Sequence, residues 1–168
     1  GGPSEAHSYG VYWPALVDAS EVHEVVVMPD GSRLRVAAPP GSTQVQPRHE
    51  AGIEPPESQP ERGPAAGEAL GTHFAARSGD KGGNANVGIW ARDDAGYAWL
   101  QRHLTAEVVR QLLPEATGLE VQRYELPNIH ALNFVIVGLL GEGVASSTAF
   151  DTQAKGLGEY LRSRPWPG

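Results

Sequence analysis

"ARSGDKGGNANVGIWAR", residues 76–92, is the stretch on which the fold of this chain turns. An apolar lead-in enters Ser78-Gly79-Asp80-Lys81-Gly82-Gly83, two asparagines follow, and an aliphatic and aromatic run closes it. Glycines between two apolar runs signal a hairpin, so "GTHFAAR" (71–77) and "NVGIWAR" (86–92) read as strands joined by this loop. A hairpin needs glycine, but it does not need an arginine, an aspartate and a lysine as well. Two readings of the loop follow. In one, consecutive backbone N–H groups form an anion-binding nest to which Arg77 and Lys81 add charge, suited to a phosphate, a carboxylate or a thioester carbonyl. In the other, the glycines supply positive φ, Asp80 bonds the turn backbone and Lys81 is solvated. It is not a Walker loop, because no Gly-Lys-Ser/Thr opens a helix here.

Working outward, "LTAEVVRQLL" (104–113) reads as a helix with Thr105 as N-cap, Leu104, Val108 and Leu112 on one face, and Pro114 as its stop. "LEVQRYEL" (119–126) alternates imperfectly as a strand that Pro127 ends, and "ALNFVIVGLL" (131–140), β-branched and apolar, reads as a central strand buried on both faces. After the glycine-rich "GEGVASS", a last helix is expected in which Phe150, Ala154, Leu157 and Leu161 share a face. The order strand-strand-helix-strand-strand-helix defines an α+β two-layer sandwich: a four-stranded, mainly antiparallel sheet with two helices on one face.

Upstream, residues 8–37 hold "VHEVVV" and "RLRVAA" around a Pro-Asp-Gly turn, so residues 1–37 read as an N-terminal β-hairpin extension. Residues 38–68 carry half of the 14 prolines and almost no large apolar side chains. Such a segment buries too little surface to offset its ordering entropy and reads as a linker, leaving 69–164 as the compact domain.

Composition narrows the function classes. Among 168 residues the net charge is −7, which argues against nucleic-acid binding. Without a cysteine there is no disulfide, thiolate chemistry or thiolate-bound cluster, a usage that fits a cytoplasmic protein. No apolar run approaches a membrane span, so no membrane partner is expected. The six histidines lack metal-ligand spacing, and neither a metal nor a cofactor is expected. Trp90, Trp99, Tyr97 and Tyr124 read as core or interface residues, and Asp151 with Lys155 as a surface pair.

"ARSGDKGGNANVGIWAR", "RYELPNIHALNFVIVGLLGEGVASS" and "DTQAKGLGEYL" together resemble the small C-terminal domain of the AtuA-like (acyclic terpene utilisation) family, over roughly residues 70–162. That domain is ferredoxin-fold-like in backbone topology. The resemblance leads one to expect Asp where Gly83 stands and Gly where Ala154 stands. It implies a link to the breakdown of branched or terpenoid acids through acyl-CoA thioesters. The expected ligand-binding residues are Arg77, Ser78, Gly79, Asp80, Lys81, Gly82, Asn84, Asn86, Asn128 and Asn133. Asn84 and Asn86 share one strand face, and His130 sits among amides in the connection before the central strand, placed as a general base or as a plain loop residue.

Three functions are compatible with these residues. One is an accessory or assembly domain that helps form an acyl-CoA or branched-acid site with a larger catalytic subunit or with further copies of itself. A second is an acyl-CoA hydratase or lyase using Asp80, Lys81 and His130. The third is a purely structural oligomerisation module.

Overall fold

In a computed structural model, the described residues are 15–37 and 60–168, together with Glu5, Ser8 and Gly10. The linker expected at 38–68 therefore falls largely outside them, at 38–59.

The N-terminal hairpin lies in a unit of its own, Trp13–Ala51. Strands β1 (Val25–Val27) and β2 (Arg33–Arg35) pair antiparallel with Val26 opposite Leu34. Asp30 shapes the turn: its Oδ1 accepts from the Ser32 N–H at 2.9 Å and the Ser32 hydroxyl at 2.6 Å, while Gly31 takes a φ of +84°.

In the other unit, β3 (Ala75–Lys81), β4 (Asn84–Trp90), β5 (Val121–Leu126) and β6 (Ala131–Ile136) form one antiparallel sheet in the order β3-β4-β6-β5. The α+β sandwich and the central place of "ALNFVI" are as expected. The opening stretch differs from its reading as a loop. Arg77 through Lys81 are strand, paired with Gly88 through Asn84, and only Gly82-Gly83 turns the chain. Gly82 has a φ of +62° and Gly83 lies outside the positive region, the pattern of a two-residue turn of type II′. Residues 78–81 are therefore extended, and their successive N–H groups alternate in direction rather than converging as in a nest.

One face of the sheet carries the helices. Ala85, Val87 and Ile89 of β4 and Leu132, Phe134 and Ile136 of β6 are buried beneath them, with 0% exposure at all six. The helix layer has three members rather than two. The additional one is α1 (Asp94–His103), capped by Asp93, whose Oδ1 accepts from the Gly96 N–H at 2.9 Å. Helix α2 (Ala106–Leu112) is capped by Thr105 as expected, and its C-cap Leu113 precedes Pro114. Helix α3 is shorter than expected, Leu157–Ser163. Phe150 is exposed outside it, and Ala154, at φ +51°, breaks the α-geometry before it starts. That left-handed φ is the physical reason a glycine suits the position.

Two devices lock the layers together. Arg123 of β5 reaches the C-terminal end of α1, donating to the Gln101 carbonyl at 2.9 Å and the Leu104 carbonyl at 3.1 Å, while pairing Glu125 at 2.7 Å. Ser78 of β3 accepts from the Gly158 N–H of α3 at 2.7 Å and donates to the Lys155 carbonyl at 3.3 Å. Residues 60–68 lie along the domain: Gly67 donates to the Trp166 carbonyl and Trp166 to that of Glu68, each at 2.8 Å. Gly63 sits so close to the Trp99 indole that a Cβ there would come within 2.3 Å of it.

Candidate functional site

Strand alternation sorts the sheet's side chains onto two faces. Arg77, Gly79 and Lys81 of β3, Asn84, Asn86, Gly88 and Trp90 of β4, Asn133 and Val135 of β6, and Gln122, Tyr124 and Leu126 of β5 share the face away from the helices. One register line crosses all four strands: Arg77, Gly88, Asn133, Tyr124. Gly88 leaves a side-chain-free gap in the middle of that line, bordered by the Arg77 carbonyl and the Asn133 amide.

Beside the gap, Asn86 and Asn133 join in a reciprocal amide pair: Asn86 Nδ2 donates to Asn133 Oδ1 at 2.9 Å, and Asn133 Nδ2 to Asn86 Oδ1 at 3.1 Å. Each amide keeps a second N–H and a second lone pair, so the pair can both donate to and accept from a ligand. The side chains of Arg77 and Lys81 are exposed and, among the described residues, have no hydrogen-bond or ion-pair partner. No carboxylate of the four strands shares their face, because Asp80 and Glu125 alternate to the helix side. On an acidic chain this is a local cationic, amide-rich surface. Its far end is apolar, with Trp90, Tyr124 and Leu126 at 38%, 45% and 41% exposure.

The remaining candidates separate from this group. Ser78 serves α3, Gly82 is the turn, and the Asn84 Oδ1 accepts from the Gly138 N–H at 2.9 Å, fastening the hairpin tip to the turn after β6. Asn128 is exposed in the single helical turn Pro127–Ile129. His130 follows it with φ +50°, its Nε2 2.9 Å from Asp94 Oδ1 and its ring 5.6 Å from that of Tyr97. Burial, and then the charge of Glu125, push the Tyr97 phenol up from its ordinary range.

Asp80, Lys81 and His130 cannot act on one bond. Asp80 pairs with Ala85 and the His130 carbonyl accepts from the Ala91 N–H. Six residues of extended chain therefore separate them, roughly 20 Å. Asp80 also faces the helices while Lys81 faces away. Among the described residues no three of His, Asp or Glu are grouped to hold a metal ion. No helix among them is long and apolar enough to cross a membrane.

Gly88, Trp90 and Tyr124 also belong to this surface, beyond the residues expected to bind. Their signal was the phase of "NANVGIWAR" and "RYEL", which puts them on the same side as Asn86.

The features so far define a small α+β domain with one sheet face covered by helices and one that no helix among the described residues covers, the latter bearing Arg77 and Lys81. The chain belongs to the AtuA ferredoxin-like domain family, whose profile matches residues 69–166. Comparisons with curated proteins and with solved structures each returned no significant match.

Proposed function

We propose that this is an accessory domain whose open sheet face contributes to a binding site for an acyl-CoA or branched-acid ligand, completed by a larger catalytic subunit. The observation that carries the reading is the pair of cations without side-chain partners, Arg77 and Lys81, on a face to which the four strands contribute no carboxylate, beside an amide pair and a glycine gap; Glu120, bonded by Gln122, sits at the opposite edge. An anionic headgroup gains charge-assisted hydrogen bonds from the cations. The amides orient a carbonyl, and the Trp90–Tyr124–Leu126 end accepts apolar surface. Nothing on this face is placed as a nucleophile paired with a base, so the role is binding and positioning.

The test is equilibrium titration of the full chain with isovaleryl-CoA. Losing a charged hydrogen bond costs about 1.5–3 kcal/mol, which is roughly a tenfold to hundredfold loss of affinity. Arg77→Ala and Lys81→Ala are each expected to show it at an unchanged melting temperature. Unchanged affinity in both variants would sink the proposal.

A second reading, assembly of copies, has its own observation: Trp90, Tyr124, Leu126 and Ile129 expose apolar surface together at one end of the sheet. Sedimentation analysis separates the two: assembly is expected to weaken in Trp90→Ser and to persist in Arg77→Ala, whereas the ligand site is weakened by Arg77→Ala.

A further inference from the structure

The helix side of the domain carries a cavity that the open face does not use. It is a solvent-open pocket between α3 and the connection 137–156, about 690 Å³ in volume, lined by Leu139, Leu140, Ala149, Phe150, Leu157 and Tyr160. That volume is within the range of small-molecule sites, and dominantly apolar walls with a few polar groups are their usual lining. The charged residues of the lining are Glu115 and Asp151, both acidic. The carboxylate of Asp151 is already engaged, Oδ1 accepting from the Lys155 N–H and Oδ2 from the Gly156 N–H, each at 2.9 Å. Glu115 is exposed and has no partner among the described residues. Lys155 is exposed nearby but does not line the cavity.

A second observation points to an occupant. Phe150 lines the cavity yet is exposed to solvent over its whole side chain. A large aromatic group left in water at the mouth of an apolar cavity has contacts to gain when a ligand arrives.

We infer that this cavity is a binding site for a small uncharged aliphatic molecule, and that its acidic lining discriminates against carboxylates of the same chain length. The site is independent of the open-face reading, since no residue is shared between them.

A matched pair of probes tests it: 1-octanol and octanoate, each titrated into the full chain and followed through the methyl NMR signals of Leu139, Leu140, Ala149 and Leu157. Octanol is expected to shift these signals saturably, and octanoate to bind at least tenfold more weakly. Ala149→Trp, at an exposed position on the cavity wall, is expected to weaken octanol at least tenfold. Glu115→Gln is expected to strengthen octanoate while leaving octanol unchanged. Absence of a saturable shift with octanol up to its solubility limit overturns the site. Unchanged octanol binding in Ala149→Trp overturns its location, and octanoate binding as tightly as octanol overturns the charge discrimination.

Discussion

The glycines of "SGDKGG" are not equivalent, and substituting them one at a time tests the hairpin directly. A Cβ on Gly83 would lie 2.2 Å from the carbonyl oxygen of Gly141, a backbone atom that cannot swing aside as a side-chain tip can. Gly83 is clamped from the same side by its own carbonyl, which accepts from the Leu140 N–H at 2.9 Å. Relieving the clash means shifting the hairpin tip or the 138–143 turn, at a cost of about 1–3 kcal/mol for forced overpacking. In a domain of this size that is a fall in melting temperature of about 5–20 °C. Gly79 is the control: it lies in β3 outside the left-handed region, and a Cβ there meets nothing within 4 Å. Gly79→Ala is expected to stabilise by about 0.4–1 kcal/mol, because glycine loses more backbone freedom on folding. Thermal melts by circular dichroism, with urea unfolding at constant m-value, read both. If Gly83→Ala is as stable as the parent, the clamp between the hairpin and the 138–143 turn does not exist. The same contact opposes the aspartate that the family resemblance leads one to expect at Gly83, so Gly83→Asp is expected to destabilise in the same melts.

Three further outcomes follow from other parts of the domain. Arg123→Ala removes the donors to the Gln101 and Leu104 carbonyls; it is expected to destabilise by about 1.5–3 kcal/mol in urea unfolding. Ala154→Gly is expected to fall within about 1 kcal/mol of the parent, as relief of the left-handed strain offsets the lost buried methyl. The control, Ala98→Gly in the buried middle of α1, loses a methyl and helix propensity with no such relief and is expected to cost clearly more in the same assay. His103 is held below its ordinary 6.5 by burial and then by the charge of Arg102, against the opposing pull of the Glu61 carboxylate 2.8 Å from its Nε2, and so gives a pH dependence. The unfolded chain binds a proton that the folded domain resists, so this contribution is full above the unfolded value and is lost as pH falls below it. Melting temperatures from pH 8 to 5.5 are expected to drop less in His103→Gln than in the parent.

Much of the domain is legible in the residues, and what is not has identifiable causes. "NANVGIWAR" alternates cleanly, so the phase that buries Val87 and Ile89 and exposes Asn86 follows from period alone. Ser78, Gly79 and Asp80 are poor strand formers. They stay in β3 because β4 pairs with them and because the Ser78 hydroxyl meets α3, a contact between residues 80 positions apart. Helix α1 escapes a periodicity argument because its buried residues, Gly96 to Leu100, are consecutive rather than spaced by three and four. Asp93-Asp94-Ala95-Gly96 also reads as a turn until Asp93 is seen to cap a helix. In the site, alternation aligns Asn84 with Asn86, but nothing local puts Asn133 beside Asn86 across 47 residues. That takes the β4–β6 register. His130 is readable from its amide neighbours as either a general base or a plain loop residue, and the register carries it to the far end of the sheet from Lys81.

The measurement that bears most directly on the proposed role is amide chemical-shift mapping of the 15N-labelled full chain during titration with isovaleryl-CoA. Saturable shifts at Arg77, Lys81, Asn86, Gly88 and Asn133, with α1 and α2 unmoved, are expected if the open face is the ligand surface. Shifts confined to other parts of the domain, or none at millimolar ligand, contradict it.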